Sequence, residues 1–123
     1  MISGFHHVAM IVSGEESVKF YEALGFNETF RKVRDYDTIV LMKGNGIELE
    51  LFVDPRHPKR AEDPENLGLR HVAYTIEGSL EECIINLKEK GIIDIGSVMT
   101  DWVGKRFCFI KDPDGIPVEL REK

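Results

Sequence analysis

The chain has 123 residues, and at that length folding buries roughly two-thirds of the unfolded surface, enough for one self-sufficient domain but not for a multidomain machine. With 42% apolar and 31% charged residues it is too hydrophobic to be disordered, and a formal charge of −6 with no basic stripe on any predicted element disfavours nucleic-acid binding. The longest unbroken apolar run, Val8 to Val12, is far shorter than the roughly 17 residues a membrane helix needs, and no signal-like segment precedes it, so a cytoplasmic protein is expected.

The first predicted element is the β-rich run His7-Val8-Ala9-Met10-Ile11-Val12. Ser13 and Glu16 then form a Ser-x-x-Glu capping box, predicting a helix that turns Val18, Tyr21 and Leu24 to one face and stops at Gly25. Two strands are expected over Glu28 to Val33 and Thr38 to Met42, separated by the polar turn Arg34-Asp35-Tyr36-Asp37. Asn45-Gly46 is a hairpin signal leading into a last strand, Ile47 to Leu51. The segment 54–66, with Pro55, Pro58 and Pro64, reads as a linker; its basic residues Arg56, Lys59 and Arg60 are diluted by Glu62, Asp63 and Glu65.

After the linker the pattern starts again. His71-Val72-Ala73-Tyr74-Thr75-Ile76 aligns with the first strand at an offset of 64, and Ser79 with Glu82 is a second capping box. The helix it opens presents Leu80, Ile84 and Leu87 and stops at Gly91. Strands are expected over Ile93 to Val98 and Arg106 to Ile110, followed by the turn Asp112-Pro113-Asp114-Gly115 and a final strand through Val118, Glu119 and Leu120. The chain thus reads as an α+β fold of two tandem β-α-β-β-β modules, 5–53 and 67–121, forming a curved mixed sheet around a metal-binding cleft within a single domain, 1–123. Cys83 and Cys108 have no metal-knuckle or redox-pair spacing and are read as buried thiols.

The repeat loads equivalent positions with the same chemistry. Each half places a histidine on its first strand and a glutamate on its last: His7 with Glu50, and His71 with Glu119. If the halves pack about a pseudo-twofold axis the four side chains converge, and two imidazoles with two carboxylates suit a divalent transition metal. Strand alternation sends His6 away from His7, and His57 has no counterpart; Glu48 shares the face of Glu50, but Pro117 occupies its equivalent.

His7-Val8-Ala9, Phe20-Tyr21 with Leu24-Gly25-Phe26, Leu69-Arg70-His71-Val72-Ala73, and Phe109-Ile110-Lys111-Asp112-Pro113-Asp114-Gly115 running into Val118-Glu119-Leu120 are the most specific pieces of a wider likeness. Over nearly its whole length the chain resembles the vicinal-oxygen-chelate superfamily of glyoxalase I, methylmalonyl-CoA epimerase, fosfomycin-resistance enzymes, extradiol dioxygenases and bleomycin-binding proteins. The resemblance implies His7, Glu50, His71 and Glu119 as metal ligands, in the pattern of short bacterial glyoxalase I, with Ni²⁺ or Co²⁺ favoured and Zn²⁺ or Mn²⁺ as the other candidates. It implies an isomerising lyase acting on a 2-oxoaldehyde thiohemiacetal or related hydroxycarbonyl compound. Glu119 is the usual base there, with Glu50 able to serve from the other face, and the small-molecule site belongs to a homodimer. Ile11 departs from the pattern, standing where glyoxalase I has an arginine that helps hold the glutathione carboxylate. Arg70, by alternation, points away from the metal. The alternatives within the resemblance are a fosfomycin-type metal-dependent thiol transferase and a non-catalytic, bleomycin-resistance-like binding protein.

Overall fold

In the computed structural model, which describes all of residues 1–123, the elements run β1 (Val8–Val12), α1 (Glu15–Ala23), β2 (Asn27–Val33), β3 (Thr38–Gly44), β4 (Ile47–Val53), β5 (Val72–Ile76), α2 (Leu80–Glu89), β6 (Met99–Thr100), β7 (Arg106–Lys111) and β8 (Pro117–Glu122). The two β-α-β-β-β modules are therefore present. They form two four-stranded sheets, one ordered β1-β4-β3-β2 and the other β5-β8-β7-β6, each parallel at its β1–β4 or β5–β8 ladder and antiparallel elsewhere.

This corrects the expected curved sheet around a metal-binding cleft. Each ladder is built only from strands of its own half, so the strands make two separate mixed sheets. Nor does the structure assemble any group of three or more His, Cys, Asp or Glu side chains that could hold a metal ion, because the ladders fix one histidine and one glutamate within each half. The chain divides into compact units at Met1–Pro58 and Lys59–Lys123, with the break inside the segment read as a linker. No helix is long and apolar enough to cross a membrane.

In each half, alternation sorts the side chains. Val40, Met42, Leu49 and Leu51 are buried from β3 and β4, and Cys108, Ile110, Val118 and Leu120 from β7 and β8. Met42 is thus core. Helix α1 buries Ser17, Val18, Phe20 and Tyr21, spaced so that one stripe faces inward, and the Tyr21 hydroxyl donates to the Met10 sulfur at 3.4 Å. Helix α2 buries Leu80 and Leu87.

The ends of the helices follow their glycines. Gly25 and Gly91 both have positive φ, 101° and 89°, directly after the C-cap residues Leu24 and Lys90. The two starts differ. The Ser79 hydroxyl accepts from the Glu82 amide at 3.2 Å, as the capping box predicts. At α1 the N-cap is Gly14, one residue beyond Ser13, and its carbonyl accepts from the Ser17 amide at 3.1 Å.

The strand expected over Ile93 to Val98 does not form. That segment does run beside β7, through the Gly96 amide to the Phe109 carbonyl (2.7 Å), the Lys111 amide to the Asp94 carbonyl (3.0 Å), and an isolated Ile95–Ile110 bridge. A Cβ on Gly96 would sit 3.1 Å from the Phe109 carbonyl oxygen, so the backbone passes too closely and irregularly for a continuous ladder. The regular pairing is confined to Met99 and Thr100.

Candidate functional site

Two turns set the glutamates. Asn45 and Gly46 both have positive φ, 52° and 80°, and reverse the chain into β4. In the second half the buried Asp112 carboxylate accepts from the amides of Asp114 (2.9 Å) and Ile116 (2.8 Å), an Asx-type turn completed by Gly115 at φ 81° and leading into β8.

The parallel ladders then place both glutamates identically. Ala9 stands opposite Glu50 and Ala73 opposite Glu119, and each histidine lies two residues before that alanine. The side chains that face the helices come from the alternate positions, so each His–Glu pair occupies the opposite face of its sheet. The outcome is the same spacing twice: His7 Nε2 to Glu50 Oε1 is 3.6 Å, and His71 Nε2 to Glu119 Oε1 is 3.6 Å.

These separations are longer than a hydrogen bond. They do suit two donors that share an ion, since ligands at about 2.1 Å from one centre stand about 3.0 Å apart at a right angle and about 3.4 Å apart at the tetrahedral angle. An imidazole nitrogen and a carboxylate oxygen are also donors that a divalent transition metal accepts. In donor type, then, each pair offers one imidazole and one carboxylate of the kind such an ion takes.

The surroundings of the two pairs differ. The Glu119 side chain is 11% exposed and that of Glu50 26%. Arg121, two residues along the same face of β8, donates from Nη1 to Glu119 Oε2 at 3.0 Å. The Arg121 guanidinium also donates to Asp101 Oδ2 and lies over the Phe107 ring, 5.1 Å from its centroid. The carboxylates of Glu119 and Asp101 hold the arginine above its ordinary pKa. The position after Glu50 that corresponds to Arg121 is Phe52, which carries no donor. The guanidinium on that side comes instead from Arg34, clamped to Asp37 at 2.6 and 2.7 Å and stacked on Tyr36 and Phe52 at 4.7 and 5.9 Å.

Two neighbours of the histidines depart from the alternation rule. His6 meets His7, with Nδ1 atoms 2.8 Å apart. Arg70 also lies beside the site: Nη1 is 3.4 Å from His71 Nδ1, and its guanidinium is 5.7 Å from the Phe109 ring centre. Glu65 anchors Arg70 at 2.8 Å, and Phe109 meets the His71 ring edge-on at 4.9 Å. His57, as expected, is elsewhere, 3.2 Å from the buried Asp54 carboxylate, while Glu48 pairs with Lys43 at 3.7 Å.

A family model described as the Glyoxalase/Bleomycin resistance protein/Dioxygenase superfamily matches residues 4–120. Among curated proteins the chain is similar to the uncharacterized protein YwkD of Bacillus subtilis (strain 168), 41% identical with 100% of this chain and 99% of that one covered. It is also similar to the uncharacterized protein YaeR of Escherichia coli (strain K12), 33% identical with 96% and 95% covered. Among solved structures, a glyoxalase family protein from Enterococcus faecalis superposes with a TM-score of 0.88 at 38% identity, covering 97% of each chain.

Proposed function

Starting from the Glyoxalase/Bleomycin resistance protein/Dioxygenase superfamily, to which this chain belongs, we propose that the protein is a metal-dependent, glyoxalase I-like lyase that isomerises the thiohemiacetal of a small 2-oxoaldehyde or a related hydroxycarbonyl compound. The observation that carries this reading is the doubled His–Glu pair, with the same register and the same 3.6 Å spacing in both halves. His7, Glu50, His71 and Glu119 are the proposed metal ligands, for Ni²⁺ or Co²⁺ ahead of Zn²⁺ or Mn²⁺. When bound, the ion supplies Lewis acidity to the substrate oxygens.

The chain's own residues do the rest. The imidazoles of His7 and His71 are anchors, because a histidine that holds an ion is a poor proton carrier. A glutamate removes the proton from the carbon beside the carbonyl, leaving its electron pair in an enediolate, and returns the proton to the neighbouring carbon, so that the net change is an isomerisation. Glu119 and Glu50 are the two groups able to do this. A homodimer belongs to the same reading, and sedimentation at micromolar concentration showing only a species near 14.0 kDa would contradict it.

The test uses protein purified without chelator. Metal content is measured after adding Ni²⁺, Co²⁺, Zn²⁺ and Mn²⁺ in turn, together with isomerisation of methylglyoxal hemithioacetals of glutathione, bacillithiol and coenzyme A. One bound ion per site and turnover of one hemithioacetal are expected. Failure to bind any of the four metals would end the reading, and metal binding without isomerisation of any adduct would favour the thiol transferase.

A further inference from the structure

We propose that Arg60 and Arg70, tied together by Glu65, form an anion seat beside His71 that holds a carboxylate or phosphate arm of the substrate. On the isomerase reading above, on which this rests, the compound that turns over then carries a negative charge. All four residues belong to one compact unit, Lys59–Lys123.

The seat is a single carboxylate shared by two guanidiniums. Glu65 Oε1 accepts from Arg70 Nε at 2.8 Å, and Oε2 from Arg60 Nη2 at 3.3 Å. Arg70 first, and Arg60 after it, hold the Glu65 carboxyl below its ordinary pKa, so the trio keeps one positive charge in excess at neutral pH. Other arginines of the chain are balanced the opposite way: Arg31, Arg106 and Arg121 each face two carboxylates. The excess therefore has a place, in a molecule whose formal charge is −6.

Donors are also left over. Arg70 Nη2, and Nε and Nη1 of Arg60, donate to no protein atom. Carboxylate and phosphate oxygens take charge-assisted bonds from such forks, and Glu65 holds the two forks near each other. The seat also reaches the face of the histidine. Arg70 Nη1 is 3.4 Å from His71 Nδ1, and its guanidinium is 5.7 Å from the ring centre of Phe109, the cross-strand partner of Glu119. With its side chain 59% exposed, Arg70 is open to a ligand, so an acidic arm on a compound held at His71 and Glu119 meets it first.

The test measures binding of unreactive thioethers to the protein as purified, by calorimetry at fixed ionic strength. S-methylglutathione carries carboxylates, S-methyl coenzyme A carries phosphates, and S-methyl-N-acetylcysteamine carries no charge. At least one anionic thioether should bind about tenfold or more tightly than the uncharged one, and whichever does identifies the arm as carboxylate or phosphate. Arg70→Met should weaken that binding by about 10- to 100-fold, and Arg60→Met by less. Arg70→Lys, which keeps the charge but loses the fork, should fall between Arg70→Met and the wild type. Lys32→Met removes an equal charge from the exposed strand β2 and should change nothing. Circular dichroism checks that each variant folds. On the hemithioacetal that turns over, Arg70→Met should raise KM and leave kcat near the wild-type value. An uncharged thioether bound as tightly as both anionic ones, a wild type that binds none, or losses in Arg70→Met and Arg60→Met no larger than in Lys32→Met would overturn the proposal. The thioethers cannot isomerise, so these outcomes are read independently of turnover. Failure of the isomerase reading is recognised separately, by a wild type inactive on every hemithioacetal.

Discussion

Gly44 and Gly25 pass so close that a Cβ on Gly44 would lie 2.4 Å from the Gly25 carbonyl oxygen and 2.9 Å from the Phe26 Cα. Both obstacles are backbone, at the point where the chain leaves α1 and β3 runs toward the Asn45-Gly46 turn, so neither can move aside as a flexible side chain would. Gly44→Ala should therefore destabilise the protein by about 2–3 kcal/mol, at the upper end of overpacking costs. Urea unfolding should show a lower midpoint at unchanged m. Gly4→Ala, where an added Cβ meets nothing within 4 Å, is the matched control and should leave the midpoint in place.

The unequal helix starts lead to a second expectation. Removing the Ser79 hydroxyl leaves the Glu82 amide without its cap, so Ser79→Ala should cost about 0.5–2 kcal/mol. Gly14→Ser supplies a hydroxyl where α1 has only backbone at its N-cap, in an extended conformation that any residue adopts, and should raise stability by a few tenths of a kcal/mol. Thermal unfolding of the two variants should shift in opposite directions.

Asp54 gives an acid-side prediction. The Arg56 side chain, then the Arg56 amide, and also His57 hold this buried carboxyl well below the usual carboxylate range. A depressed folded-state pKa contributes stability that is complete above the unfolded value of about 3.9 and is lost as pH falls below it toward the folded value. Asp54→Asn should be less stable than the wild type at pH 7, and the gap should narrow as the pH is taken below about 4. A gap that stays constant through that window in parallel urea titrations would show that the Asp54 charge contributes nothing.

Both thiols should be slow to react. Burial pushes Cys83 and Cys108 above the ordinary cysteine value, reducing the reactive thiolate at pH 8. Cys108 is fully buried whereas Cys83 is partly open, so a chromogenic disulfide reagent should modify Cys83 first and Cys108 only with unfolding. Addition of guanidinium should expose both to rapid reaction.

Much of this structure could be read from the repeat, because recurrence at fixed offsets reports tertiary equivalence that single residues do not. Gly25 and Gly91 terminate the helices as expected, Ser79 caps, and the His7–Glu50 and His71–Glu119 pairs occupy matching registers. The errors have local causes. Ile93 to Val98 has the apolar content of a strand, but Ile93 is 87% exposed and the close passage at Gly96 breaks the ladder. Period-two alternation turns His6 and Arg70 away from their neighbouring histidines, yet both precede the first residues of their strands, Val8 and Val72, and the observed contacts differ from it there. Arg121 was legible in principle: two residues beyond Glu119 on one strand is the same face. Its partner Asp101, twenty residues away, supplies the contact that no spacing rule contains.

Since pairing between β1 and β4, and between β5 and β8, decides where each histidine meets its glutamate, the length of chain lying between them is immaterial to that meeting. Forty-three positions separate His7 from Glu50 and 48 separate His71 from Glu119, yet both pairs stand at the same 3.6 Å. A change in the length of the hairpins and crossings in between should thus leave each histidine beside its glutamate as long as the two parallel ladders keep their registers.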